Sequence, residues 1–255
     1  MSGVTAIVLA GSRREGDPFA AGFGARIKAL IPVASEPMVL RPVRALLASP
    51  QVADVAVLAQ QPDLLADVLP KSPKLSVRRS LGTIADTLLA VCSDPATNWP
   101  VLVTTADHAL LTPDMVAEFV GKAQGADIAV GFVESKGLLA RFPDAQRTWL
   151  AFGGGRYSGA NLFLLGTPRA ERAIAQWRSV ERDRKRGLRV LAALGPALFM
   201  GAVLKLRNVH QTADALGRKL GIIVRAIEMS DPLAAIDVDK PSDHALVEAI
   251  IEGRA

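Results

Sequence analysis

One cysteine in 255 residues, Cys92, excludes an internal disulfide framework and a cysteine-rich zinc site. Aromatic residues make up only 5% of the chain, too few to interleave with a basic nucleic-acid-binding face, so nucleic acid is not expected as a partner. Neither the Walker pattern nor G-x-G-x-x-G occurs, which sets aside a P-loop NTPase and a dinucleotide-binding Rossmann domain. No basic region precedes the first apolar run, and Val4–Ala10 is too short for a secretory core or a membrane span. A cytoplasmic protein is expected. There is no internal repeat and no low-complexity linker.

What the chain has in quantity is apolar residues, half of the total, enough to bury a large core. One domain over residues 1–255 is expected, with a basic and apolar helical sub-region at about 167–220. The formal net charge is +5, and Arg178–Arg189 (RSVERDRKRGLR) holds six basic residues against two acidic ones. The basicity is therefore local. It is followed by VLAALGPALFMGAVLKL (Val190–Leu206), an apolar run broken by Gly195, Pro196 and Gly201. A buried helix pair with a basic face accounts for 178–206; docking on an anionic membrane or a lipid-linked acceptor is the sharper reading.

Short apolar runs alternate with helical patterns. Candidate strands are Val4–Ala10, Val55–Gln60, Lys74–Arg78, Val101–Ala106, Asp127–Val133, Ala160–Gly166 and Ile222–Glu228. Several are apolar throughout, as expected of strands covered on both faces. Apolar residues at spacings of three and four mark helices over Val39–Leu47, Thr83–Val91, Pro113–Gln124 and Pro241–Glu252. Strand and helix in alternation predict an α/β protein with a mostly parallel sheet, whose chemistry belongs at the carboxyl ends of its strands.

Three loops stand there. After Val4–Ala10, Gly11 and Gly16 admit close backbone approach while Arg13, Arg14, Arg26 and Lys28 supply positive charge, a composition suited to phosphates. In TTADHALLTPD (Thr104–Asp114) a strand delivers Asp107 to its end, either as a carboxylate for Mg²⁺ or as the cap of a turn. In IDVDKP, Asp237 and Asp239 share one side of an extended stretch whose other side carries Ile236 and Val238. Asp243 reads as a helix cap or first-turn acid. His108 reads as structural, His210 and His244 carry no chemistry, and Cys92 belongs to a core helix.

In order along the chain, LAG with its Gly- and Arg-containing loop, KALIPVASEPMVLRPVRAL, LGTIADTLLA, the strand-ending Asp, SGANLFLLG and IDVDKPSD resemble the MobA-like nucleotidyltransferases. These are relatives of the sugar-phosphate nucleotidylyltransferases and of the molybdenum-cofactor guanylyl- and cytidylyltransferases. The resemblance runs from about Val4 to Glu252 and is thinnest over Trp177–Leu220. It implies a three-layer α/β fold with a mostly parallel, mixed sheet of the Rossmann-like, GT-A-like kind.

It also implies roles. Leu9, Ala10 and Gly11 match the strand end that contacts the base, with Gly82 and Thr83 as further base-side contacts. Ser12 and Arg13 match the segment that wraps the triphosphate, and Lys28 matches the lysine on the reacting phosphates. Asp107 matches the Mg²⁺-binding aspartate, Asp237 its partner with Asp239 the alternative, and Asn161 the acceptor contact. Two departures stand out: the opening loop is several residues longer than usual, so Arg13 or Arg26 can fill the family arginine's place, and Ile27 replaces a customary proline. The implied reaction is Mg²⁺-dependent transfer of an NMP from a nucleoside triphosphate to a phosphorylated small-molecule acceptor, such as a sugar phosphate or a lipid precursor, with release of pyrophosphate. Two alternatives stay open: a GT-A-type glycosyltransferase using a nucleotide sugar, and a non-catalytic nucleotide-binding protein. The base, the acceptor and the oligomeric state are not legible.

Overall fold

The computed structural model describes residues 3–11, 17–178 and 207–255. Ser12 and Arg13, with their neighbours Arg14 and Gly16, lie outside the described residues, as does the basic and apolar stretch 179–206.

In chain order the elements are β1 (Val4–Leu9), α1 (Pro18–Gly22), a hairpin of β2 (Pro32–Val33) and β3 (Glu36–Pro37), α2 (Leu40–Ala48), β4 (Val52–Ala59), α3 (Asp63–Ala66), β5 (Leu75–Arg79) and α4 (Ile84–Ser93). Then come β6 (Val101–Thr105), α5 (Pro113–Lys122), β7 (Ile128–Glu134), α6 (Ser135–Arg141), β8 (Leu150–Phe152), β9 (Gly155–Leu165) and α7 (Glu171–Arg178). The described chain ends with α8 (Val209–Leu220), β10 (Val224–Glu228) and α9 (Pro241–Ile251). Among the described residues, no helix is long and apolar enough to cross a membrane.

The sheet runs β10-β7-β9-β6-β1-β4-β5, with β8 paired to β9. The β1, β4, β5 and β6 pairings are parallel, as is β10 with β7, whereas β9 runs antiparallel between β6 and β7. The sheet is thus mixed and mostly parallel, as expected. Alternate residues of its central strands face two separate cores. Ala6 and Val8 of β1 and Leu102 of β6 join the larger one, with α2 and α5 supplying Val43, Leu46, Met115 and Phe119. Ile7, Val101 and Val103 join the other, under Ala85, Leu88 and Cys92 of α4 and Ile174 of α7. Burial on both faces is why these strands carry no polar alternation.

Local chemistry sets the helix starts. Thr83 and Asp86 form a reciprocal capping box on α4, Thr112 caps α5 with Pro113 behind it, and Asn208 with Gln211 repeats the box on α8. From β1 the chain goes outward to β4 and β5, then returns to place β6 on the other side of β1. The switch in winding direction therefore falls between β1 and β6, and a crevice opens at their carboxyl ends.

Candidate active site

The ends of β1 and β6 are tied together where the crevice opens, since Ala106 N donates to Leu9 O at 3.0 Å. Ala10 N donates to Leu58 O of β4 at 2.9 Å, and the side-chain-free face of Gly11 looks onto the Gln60 amide. Gly82 stands beyond the same end of β4, in a loop whose Ser80 N donates to Ala59 O at 2.9 Å. Its φ is +52°, and a Cβ there would come within 2.5 Å of Asp86 Oδ2, so the tight turn requires glycine. Leu9, Ala10 and Gly11 thus lie at the ends of β1 and β4, and Gly82 and Thr83 follow the segment bonded to the end of β4.

Lys28 enters from a single helical turn, Lys28–Leu30, between α1 and β2. Its ammonium donates to Asp107 Oδ2 at 2.5 Å and also to Asp239 Oδ1. Burial pulls the lysine pKa down, but the two carboxylates outweigh it and the pKa stands above the usual value, so the group is charged. Asp107 follows β6 directly. The segment bearing Asp239 is pinned to it by Val238 N, which donates to Asp107 O at 3.1 Å. Ile236 and Val238 are buried, as the alternation predicted, and Asp243 sits in the first turn of α9 and accepts from Asp239 N at 3.2 Å.

Asp237 has a different set of partners. Arg147, from the loop between α6 and β8, pairs with its Oδ1 and also donates through Nη1 to its backbone carbonyl at 3.4 Å. Asn161 donates to its Oδ2 at 2.7 Å, and does so from a left-handed backbone, φ +48°. The acceptor-side candidate Asn161 and the metal-side candidate Asp237 are therefore bonded to each other, while Asp239 shares Lys28 with Asp107. Arg147 has no place in any motif and could not have been found from sequence.

His108 lies fully buried beneath this layer, with Nδ1 3.2 Å from Thr104 Oγ1. Burial lowers its pKa to about 4, against a smaller opposing pull from Asp237, so it is neutral at ordinary pH. It touches no open surface, which fits a structural role. His244 bonds the Pro32 carbonyl at 2.7 Å and His210 bonds Glu228 at 2.7 Å.

Among the described residues, no group of three or more His, Cys, Asp or Glu side chains is placed to hold a metal unaided. Mg²⁺ does not need one, because one or two carboxylates and substrate phosphates complete its shell. Asp107 fits that demand. Its Oδ1 is buried and has no hydrogen-bond partner among the described residues, and its Oδ2 and Asp239 already converge on a cation.

The mixed, mostly parallel sheet with a charged cluster at its switch point is an architecture that solved structures share. A hypothetical transferase from Thermus thermophilus superposes with a TM-score of 0.79 at 28% identity, over 95% of this chain and 99% of that one. The CMP:2-keto-3-deoxy-manno-octonic acid synthetase complexed with CTP superposes at 0.61 and 12% identity over the whole of both chains. The 4-diphosphocytidyl-2C-methyl-D-erythritol synthase of Anaerococcus prevotii does so at 0.59 and 8% identity, over 98% of this chain and 96% of that one. The last two likenesses are of fold alone. No curated protein sequence matches the chain. Residues 6–198 match the MobA-like NTP transferase domain, and the chain belongs to that family. It is an enzyme of the nucleotidyltransferase class.

Proposed function

We propose that this enzyme transfers a nucleoside monophosphate from a nucleoside triphosphate to a phosphorylated small-molecule acceptor and releases pyrophosphate, with Mg²⁺ as cofactor. The observation that carries the reading is the Lys28 ammonium seated between Asp107 and Asp239 at the β1–β6 switch point. Leu9–Gly11 and Gly82–Thr83 surround the space for the base. The triphosphate then lies toward Lys28; Arg26 and, outside the described residues, Ser12 and Arg13 are its further candidate contacts.

An acceptor phosphate oxygen attacks the α-phosphorus, the bond to the β-phosphate's bridging oxygen breaks, and pyrophosphate leaves. The nucleophile is already anionic, so no side chain has to remove a proton. What the chain supplies is position and positive charge where negative charge accumulates. Lys28 neutralises the transferring phosphate. Asp107 with Asp239 would hold Mg²⁺, whose charge, when bound, polarises the phosphoryl oxygens; Asp237 is the alternative second ligand. Asn161 and Arg147 hold Asp237 at the acceptor side of the same cleft.

Thermal denaturation with ATP, GTP, CTP and UTP, each with and without Mg²⁺, tests the donor half, since a ligand of the folded state raises its melting temperature. One nucleotide giving a Mg²⁺-dependent rise names the donor. Lys28→Ala and Asp107→Ala should then abolish pyrophosphate release in the presence of a phosphorylated acceptor; activity unchanged in both would remove this site. The family match favours this reading over nucleotide-sugar glycosyl transfer, and pyrophosphate among the products separates the two.

A further inference from the structure

Beside the lysine, a cavity of about 510 Å³ extends from Asp239 past Asp237 and Asn161 to Arg147, with Ser158 and Lys240 on its walls. The Arg147 side chain is only 12% exposed. A guanidinium has five N–H groups and two edges that each match a two-oxygen anion. One edge of Arg147, Nη1 with Nη2, faces Asp237. On the other, Nε is buried and has no partner among the described residues. A buried cationic N–H without an acceptor is unfavourable, so a pairing with Asp237 alone leaves this side chain incompletely satisfied.

We propose that this second edge of Arg147 receives an oxyanion of the acceptor other than its reacting phosphate. The acceptor class is thereby narrowed to small phosphorylated molecules that carry a further carboxylate or phosphate a few bonds away. The cavity joins the two ends of such a molecule. Its reacting phosphate lies toward Lys28 and Asp239, and its second anion reaches the arginine, whose planar fork selects paired oxygens over a lone hydroxyl. Lys240, bonded to Gln146 Oε1 at 3.2 Å, lines the same wall, as does Asp243, whose pKa burial raises. The inference rests on the nucleotidyl-transfer reading of the cleft.

Three probes separate the possibilities, titrated calorimetrically into the whole protein with Mg²⁺ present. Glycerol 3-phosphate has no second anion, 3-phosphoglycerate replaces its terminal carbinol by a carboxylate, and glycerol 1,3-bisphosphate replaces it by a phosphate ester. At least one of the last two should bind about tenfold more tightly than glycerol 3-phosphate, and the better one identifies the anion. Arg147→Lys keeps a cation against Asp237, and so the fold, while removing the fork; the preference should drop to threefold or less. Equal binding of all three probes, binding by none, or a preference that survives both Arg147→Lys and Arg147→Gln overturns the assignment. The nucleotide-induced rise in melting temperature, measured on the same samples, is the independent arm. A preference without any nucleotide effect removes the transfer reading and keeps the anion site, whereas a nucleotide effect without a preference does the reverse.

Discussion

Replacing Lys28 by methionine keeps an unbranched apolar stem and deletes the charge between two carboxylates. The ammonium lies 2.5 Å from Asp107 Oδ2, with both side chains 17% exposed, and bonds an Asp239 that is 63% exposed. The Asp239 contact is worth little, because an exposed carboxylate is already solvated. Asp107 is the costly partner. With Oδ1 without a partner among the described residues, the substitution strips the hydrogen-bond donor described for its carboxylate. Breaking a buried ion pair from one side costs about 3–5 kcal/mol, and screening through the residual exposure reduces that here to about 1–3 kcal/mol. Urea denaturation of the wild type, Lys28→Met, Asp107→Asn and the double variant at pH 7.5 measures it. In the Lys28→Met background, Asp107→Asn should restore about 1 kcal/mol or more, since it removes the stranded charge. Two strictly additive substitutions would refute the idea that the ammonium balances Asp107 in the unliganded fold.

Other expectations follow from single positions. Gly166→Ala puts a Cβ 1.9 Å from the Ala126 carbonyl oxygen and should cost about 3 kcal/mol or more, whereas Gly121→Ala, in α5 with nothing within 4 Å, should be neutral or stabilise by about 0.5–1 kcal/mol; paired urea melts compare them. Gly82→Ala combines φ +52° with a clash on Asp86 and should cost about 1–2 kcal/mol and weaken the nucleotide-induced thermal shift; an unchanged shift would separate this turn from the base site. His108 has a folded pKa of about 4 against an ordinary 6.5, so its contribution is complete above pH 6.5 and is lost as pH falls toward 4. In EDTA the wild type should lose about 3 kcal/mol more across that window than His108→Gln, and parallel pH profiles of the two would contradict a buried neutral imidazole.

Much of the scaffold was readable from short-range pattern. The apolar runs at 4–10, 55–60 and 101–106 became β1, β4 and β6, and the helical spacings over 83–91 and 113–124 became α4 and α5. The short elements escaped. The β2–β3 hairpin, β8 and α6 are each seven residues or fewer, too short for periodicity to register. Ala160–Gly166 was visible as a strand, but not that it begins at Gly155 and runs antiparallel between two strands of opposite direction. Direction is a property of the sheet, to which a single strand's pattern is blind.

The sequence by itself determined the alternation that makes an α/β sheet, the cationic and glycine-bearing composition after the first strand, and the placing of Asp107 just past the end of its strand. Those follow from hydrophobic period and turn chemistry, which act over a few residues. Only the tertiary structure decided which carboxylate meets which cation. Lys28 is 79 residues from Asp107 and 211 from Asp239, and Arg147 is 90 from Asp237. Asp237 and Asp239 are chemically identical and two residues apart, so no local rule divides them. Their assignment comes from Val238 bonding to Asp107, which leaves Asp239 beside the lysine, and from the loop between α6 and β8 carrying a guanidinium to Asp237.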